Sequence, residues 1–262
     1  MMETQDVLLR GLEAAARRAG EIVRHAERVE DGMREKAGTA NFVTRYDVAV
    51  QELLRRELRQ LLPGAKFYGE EDAQHDDPLS GACFIVDPID GTTNFIWDLR
   101  HSGISIALAK DGQVEYGVIY NPYLDEMFAA KRGGGATLNG RPVRVKERAL
   151  SESLVCFGTA PYYRETADET FALLRRVFDR VVDVRRCGAA TLDLCDIAAG
   201  RCDLFFEARL SPWDFAAGAL LVAEAGGEIG TLDRQPLRLD APCSVAAGSP
   251  RAMAEFWELL GK

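Results

Sequence analysis

The run Phe84-Ile85-Val86-Asp87-Pro88-Ile89-Asp90-Gly91-Thr92-Thr93-Asn94 constrains this chain more than any other stretch. Ala82 to Val86 is short, apolar and rich in Phe, Ile and Val, the pattern of a buried strand. Asp87 to Gly91 reads as a turn, because proline fixes φ and removes a donor while glycine tolerates tight backbone. Thr92-Thr93-Asn94 then reads as the start of a short helix or turn. Two carboxylates this close, at the open end of a buried strand, repel and raise one another's pKa unless a positive charge lies between them. A divalent cation resolves the conflict, and hard oxygen donors favour Mg²⁺, Mn²⁺ or Ca²⁺ over zinc. The Ile89 carbonyl is free to face the same ion. The amides of Gly91 and Thr92, leading into a helical turn, suit an anion such as phosphate. The competing reading is an acidic turn that caps a helix, since Asp-Pro and Asp-Gly are common turn formers.

On either side the periodicity is clear. Val7, Leu8, Leu12, Ala15, Ala16, Ala19, Ile22, Val23 and Ala26 recur at helical spacing, and a second helix is predicted from Tyr46 to Leu62, with Asp47 in its first turn and Pro63-Gly64 as its stop. Lys36 to Thr44 is a polar loop or hairpin around Gly38 and Asn41. Strands are expected at Ala65–Tyr68, Ile104–Ala109, Val114–Asn121 and Met127–Ala130, so residues 1–148 form an α+β half, two helices followed by a mainly antiparallel sheet. In residues 149–262 strands and helices alternate: strands at Leu154–Gly158, Val181–Val184, Asp203–Glu207, Glu228–Gly230 and Ser244–Ala247, helices at Glu165–Arg180, Ala189–Ala199, Trp213–Ala225 and Ala252–Leu260. That rhythm predicts a layered α/β half sharing an interface with the first.

A net charge of −9 argues against a general binder of nucleic-acid backbone, and an anionic substrate would then need bound cations at its site. The six cysteines, Cys83, Cys156, Cys187, Cys195, Cys202 and Cys243, are scattered without a Cys-x-x-Cys pair. They read as buried free thiols in a reducing cytoplasm rather than a zinc site or disulfide framework. The polar start Met1-Met2-Glu3-Thr4-Gln5-Asp6 is unlike a signal peptide, and no apolar run reaches the ~20 residues of a membrane span.

Other acids stand in suggestive places. Glu70 follows a short strand, as Asp87 does; Glu70-Glu71 alone would mean a solvated loop. Ser211-Pro212-Trp213-Asp214 opens a helix with an N-cap, a proline and an acid in the first turn, so Asp214 is explained as a helix start without any ligand role. Taken in order, Gly69-Glu70-Glu71, Asp87-Pro88-Ile89-Asp90-Gly91-Thr92, Trp213-Asp214-Phe215-Ala216-Ala217-Gly218 and Glu224-Ala225-Gly226-Gly227 resemble the inositol monophosphatase family of Mg²⁺-dependent phosphatases, over nearly the whole chain.

The resemblance implies a layered α-β-α-β-α sandwich of the sugar-phosphatase type. It implies that Glu70, Asp87 and the Ile89 carbonyl bind one metal, that Asp87, Asp90 and Asp214 bind a second, and that a weaker third ion lies near Glu70, with Mg²⁺ as the cofactor and Mn²⁺ as a substitute. Thr92, linked to Asp47, would orient the attacking water, with Glu70 and Asp90 also catalytic, while the Gly91 and Thr92 amides hold phosphate. Lys36 matches a loop lysine that approaches the site. Thr159, Gly188, Ala189, Ala190, Glu207 and Asp214 match substrate contacts; Thr159 stands where relatives have serine, and Ser211 where some have histidine. The implied function is hydrolysis of a small phosphomonoester, inositol monophosphate or a related polyol or sugar phosphate, by a lithium-sensitive cytoplasmic homodimer. Alternatives on the same fold hydrolyse histidinol phosphate, fructose 1,6-bisphosphate or a nucleotide such as NADP; an alternative of another class is a regulatory binding protein that retains the fold. No Gly-x-x-x-x-Gly-Lys loop or Gly-x-Ser-x-Gly elbow supports other chemistries, and His25, His75 and His101 are read as structural or solvent-facing.

Overall fold

The computed structural model describes residues 2–36 and 41–261, with side chains from Val7 onward. Gly38, at the centre of the expected polar loop, lies outside the described residues. The first half runs α1 (Met2–Arg24), β1 (Arg34–Glu35), β2 (Phe42–Val43), α2 (Arg45–Leu61), β3 (Lys66–Gly69), β4 (Ala82–Asp90), α3 (Thr92–Ile96), β5 (Gly103–Lys110), β6 (Gln113–Asn121), β7 (Glu126–Lys131), β8 (Gly135–Leu138) and β9 (Arg141–Pro142). The short β1 and β2 pair antiparallel. Strands β3 to β9 form a seven-stranded sheet in sequence order, parallel only between β3 and β4.

The second half runs β10 (Leu154–Phe157), α4 (Ala167–Phe178), β11 (Asp183–Arg185), α5 (Ala190–Ala198), β12 (Leu204–Leu210), α6 (Pro212–Glu224), β13 (Glu228–Gly230), β14 (Cys243–Gly248) and α7 (Pro250–Leu260). Its five-stranded sheet has the order β11-β10-β12-β14-β13. Strand β10 is parallel to β11 and β12, and β14 is antiparallel to β12 and β13. The sheet is therefore mixed, which the alternating rhythm alone did not specify.

Alternation along the strands sorts the core into layers, because successive side chains leave opposite faces. Phe84, Val86, Ile104, Ile106 and Val118 face α1 and α2 and pack with Leu12, Leu54 and Leu58. Cys83, Ile85, Ala107 and Ile119 face the other way, onto α5 and α6 through Leu194, Ala217 and Leu221. Those helices are covered on their far side by Phe205, Val245 and Ala247 of the second sheet. Its outer face, with Val155, Leu204 and Phe206, packs with Val177, Phe256 and Trp257 of α4 and α7. The result is the expected α-β-α-β-α sandwich. Both faces of each central strand are buried, which is why β4 reads as a continuous apolar run rather than an alternating one. Among the described residues, no helix is long and apolar enough to cross a membrane.

The expected turn at Asp87 to Gly91 is a correction. Strand β4 continues through Pro88 to Asp90, and only Gly91, at φ +83°, leaves it. Asp87 pairs with Ser105 and Asp90 with Gly103, so β4 spends three steps where β5 spends two. That bulge absorbs Pro88, which has no N–H for the ladder. It also changes parity. In a regular strand, residues three apart face opposite sides, whereas one extra residue returns Asp87 and Asp90 to a common side.

Candidate active site

Three elements deliver the four acids. Glu70 follows the end of β3, where its N–H donates to Val86 O at 3.1 Å and places it beside β4. Asp87 and Asp90 come from the bulged end of β4, and Asp214 from the first turn of α6. One carboxylate oxygen from each of Asp87, Asp90 and Asp214 lies within 4.8 Å of the others. Each of the three aspartates accepts a backbone hydrogen bond. Asp87 Oδ1 accepts from Ile89 N–H at 3.0 Å. Asp90 Oδ2 accepts from the Thr191 amide at 2.7 Å and its hydroxyl at 2.6 Å. Asp214 Oδ2 accepts from Ser211 N–H at 2.7 Å. Asp214 is thus both the capping residue that its local sequence suggests and a member of the cluster.

Burial, then the charges of Glu70, Asp90 and Asp214, holds the Asp87 carboxyl well above the ordinary range. Burial with Asp90 and Glu70 does the same to Asp214. Asp90 is pushed up to about 6 by burial, against the Thr191 hydrogen bonds that lower it. No lysine or arginine among the described residues ion-pairs with these three acids. The basic group nearby, Lys36, donates to Glu70 at 2.9 Å and Glu71 at 2.5 Å. Burial works to lower the Lys36 pKa, but those two acids outweigh it and raise it. A buried all-oxygen cluster short of positive charge fits a hard divalent cation such as Mg²⁺ or Mn²⁺. The Ile89 carbonyl accepts the Thr92 hydroxyl at 3.1 Å and keeps a second lone pair.

Asp47, fully buried, is tied to its own helix start by Thr44 N–H at 2.7 Å and Thr44 hydroxyl at 2.5 Å. Its other oxygen lies 3.4 Å from the Thr92 hydroxyl. Burial pushes Asp47 up to about 6, against the Thr44 bonds. Gly91 must be glycine on two counts: its positive φ, and the space a Cβ would need, 3.1 Å from both Ala189 Cβ and Gly188 O. The same contact brings Gly188 and Ala189 to the site. Glu207, buried on β12, accepts from Ala160 N–H at 2.7 Å and is pushed up to about 7 by burial. Gly158 makes room for it, since a Cβ there would lie 1.9 Å from Glu207 Oε2. Among the three histidines, His25 bonds to Glu21 O at the end of α1, His75 packs against the Tyr68 and Trp213 rings, and the His101 carbonyl accepts from Asn94.

Three residues of the site escaped the sequence reading. Thr191, the partner of Asp90, directly follows the expected substrate contacts Ala189 and Ala190 in a predicted helix. Arg186 donates to the Thr159 hydroxyl at 3.3 Å, and its charge opposes the upward shift of Glu207. The pair Arg185-Arg186 directly before Cys187-Gly188 was a legible signal, two cations beside an expected substrate loop. Tyr162, partly exposed, has its phenol pKa raised by desolvation and then by the charges of Glu70, Asp214, Asp90 and Asp87. No sequence motif marks it.

With this geometry in view, comparison with known proteins is informative. The profile of the inositol monophosphatase family matches residues 4–260. An inositol-1-monophosphatase of Rhizobium meliloti (strain 1021) is 42% identical over 191 residues, 72% of this chain and 72% of the relative. The Nus factor SuhB of Escherichia coli (strain K12) is 38% identical over 215 residues, 81% of this chain and 80% of its own. Among solved structures, the extragenic suppressor protein suhB of Bartonella henselae superimposes with a TM-score of 0.89 at 35% identity, covering 97% of this chain and 98% of that one.

Proposed function

The chain belongs to the inositol monophosphatase family and is a phosphomonoesterase, and on that premise we propose that it hydrolyses a small polyol or sugar phosphate, inositol monophosphate first among them, with Mg²⁺ as cofactor. The observation that carries the reading is the convergence of Asp87, Asp90 and Asp214 beside Gly91 and Thr92. Glu70, Asp87 and the Ile89 carbonyl would hold one ion, Asp87, Asp90 and Asp214 a second, with a third near Glu70. Bound there, Mg²⁺ would lower the pKa of water and neutralise phosphoryl and leaving-group oxygens.

The remaining work falls to the chain itself. The Thr92 hydroxyl has one proton, which it gives to Ile89 O or Asp47, leaving its lone pairs to orient a water. The Gly91 and Thr92 amides would hold the phosphate. Thr191 favours the ionised form of Asp90 by donating twice to it. Glu207, Thr159, Gly188, Ala189 and Ala190 would face the polyol, with Asp214, and Lys36 would offset charge at Glu70 and Glu71. Protein groups here position and stabilise rather than form covalent bonds with phosphorus.

We further propose that the chain is a cytoplasmic homodimer; a single-chain mass by light scattering at micromolar concentration would oppose the dimer. The relatives called Nus factor favour a second reading, a regulatory protein that keeps this fold and works through a macromolecular partner. A phosphate-release screen over polyol, sugar, histidinol and nucleotide monophosphates, with Mg²⁺ and with chelator, separates the two. Mg²⁺-dependent turnover of a polyol or sugar phosphate is expected. Release from none of the panel, by folded protein, would overturn the substrate assignment and leave the regulatory reading.

A further inference from the structure

Outside the acid cluster, the fold gathers a second set of ionisable groups. Cys156 lies on β10, Cys187 between β11 and α5, Asp193 in the first turn of α5, and Cys202 between α5 and β12. The sulfurs of Cys156 and Cys187 and a carboxylate oxygen of Asp193 all lie within 4.8 Å of one another. Cys202 adds a third sulfur, 3.0 Å from that of Cys156. The cysteines that look scattered in the sequence are therefore partly assembled in space.

Asp193 makes the cluster more than a set of buried thiols. It is 2% exposed, and its Oδ1 has no hydrogen-bond partner among the described residues. No lysine or arginine among them pairs with it. Sulfur is what faces this carboxylate, and an isolated buried carboxylate is strongly disfavoured unless it is neutralised or ligates a cation. Burial, then the neighbouring Cys187, raises Asp193 well above the ordinary carboxylate range.

We propose that Cys156, Cys187 and Asp193 bind one thiophilic divalent cation of the Zn²⁺ class, separate from the hard-cation site of the acids. Two thiolates bound about 2.3 Å from a tetrahedral ion stand about 3.8 Å apart, inside the observed spread. Half-buried Cys187 gives the ion a way in. The site lies behind the catalytic machinery: the Cys187 carbonyl accepts from Asn94 at 2.9 Å, and Thr191, in the same first turn as Asp193, holds Asp90. A cation there ties β10, the segment 186–189 and the start of α5 to one another, a positioning role rather than a catalytic one.

The test uses the full chain, reduced and freed of metal, with saturating Mg²⁺ present to occupy the acids. Co²⁺ is then titrated while sulfur-to-cobalt charge-transfer absorption is read, followed by displacement with Zn²⁺. One equivalent per chain is expected. Cys187→Ser should weaken Co²⁺ and Zn²⁺ at least tenfold and diminish the absorption. Asp193→Asn should weaken binding while keeping the absorption, because it removes no sulfur. Cys243→Ser, away from the cluster, should match the parent. Because Cys187 is half-buried, its variant tests the site even if Cys156→Ser fails to fold. Absence of the absorption at one equivalent or an undiminished band in Cys187→Ser would each overturn the proposal.

Discussion

Asp214→Asn separates a helix cap from a metal ligand. Asparagine can still accept from Ser211 N–H, the 2.7 Å bond that Asp214 makes now, so the change forfeits only part of the ~1 kcal/mol typical of a cap. It also removes a charge that burial, Asp90 and Glu70 disfavour. Without metal, the variant should therefore melt at or above the parent temperature. With Mg²⁺ the order reverses. At a concentration 100 times its Kd, a ligand stabilises the native state by about 2.7 kcal/mol. If losing the carboxylate weakens the ion ~100-fold, the same concentration supplies only about 0.4 kcal/mol. For a chain of this length that means a Mg²⁺-induced rise in Tm of roughly 5–10 °C in the parent and about 1 °C in the variant. Turnover should fall at least ~100-fold, about 2.7 kcal/mol of transition-state stabilisation, and recover partly at high Mg²⁺ or Mn²⁺. Calorimetry with and without Mg²⁺, alongside phosphate release, reads both effects. Near-normal turnover with the full Mg²⁺ increment would remove Asp214 from the site.

Neighbouring acids offer a matched pair: Glu70→Gln and Asp90→Asn should each lower turnover at least ~100-fold, whereas Glu71→Gln should cost about tenfold or less, and equal losses would refute the assignment of Glu70. Stability should depend on pH with a definite sign. Native Asp90, at about 6 against 3.8, holds a proton that the unfolded chain has released, so between about pH 4 and 6 metal-free stability should fall as pH rises, by roughly 3 kcal/mol from this group. Asp90→Asn should flatten that slope, and an unchanged slope would show that Asp90 does not titrate as its surroundings imply. Gly158→Ala drives a methyl into Glu207, so KM should rise more than kcat falls; unchanged kinetics would free Glu207 from any substrate role. Millimolar Li⁺ should slow turnover at saturating Mg²⁺ by occupying the Asp87-Asp90-Asp214 position, and indifference to lithium would count against that occupancy.

Much of this protein was written locally. The periodicity of Leu12 to Val23 and of Val50 to Leu58, the stop at Pro63-Gly64 and the Ser211-Pro212 helix start all follow from interactions within a few residues, and all are found. The acids of the Asp-Pro-Ile-Asp stretch were legible too, because two carboxylates at a strand end are expensive without a partner. What local rules could not supply was parity and convergence. Proline beside the strand end read as a turn, yet pairing with β5 carries β4 through it as a bulge, and only that ladder decides that Asp87 and Asp90 face the same way. Asp214 is explained by its own helix start, and nothing nearby says that α6 aims this acid at β4; packing of α6 on the first sheet does. Thr191, Arg186 and Tyr162 carry no motif, and three dispersed thiols become neighbours only when β10, α5 and the segments flanking α5 pack together. Short-range sterics and capping set the elements, whereas the placement of charge beside charge was decided by the burial of two sheets against a shared layer of helices.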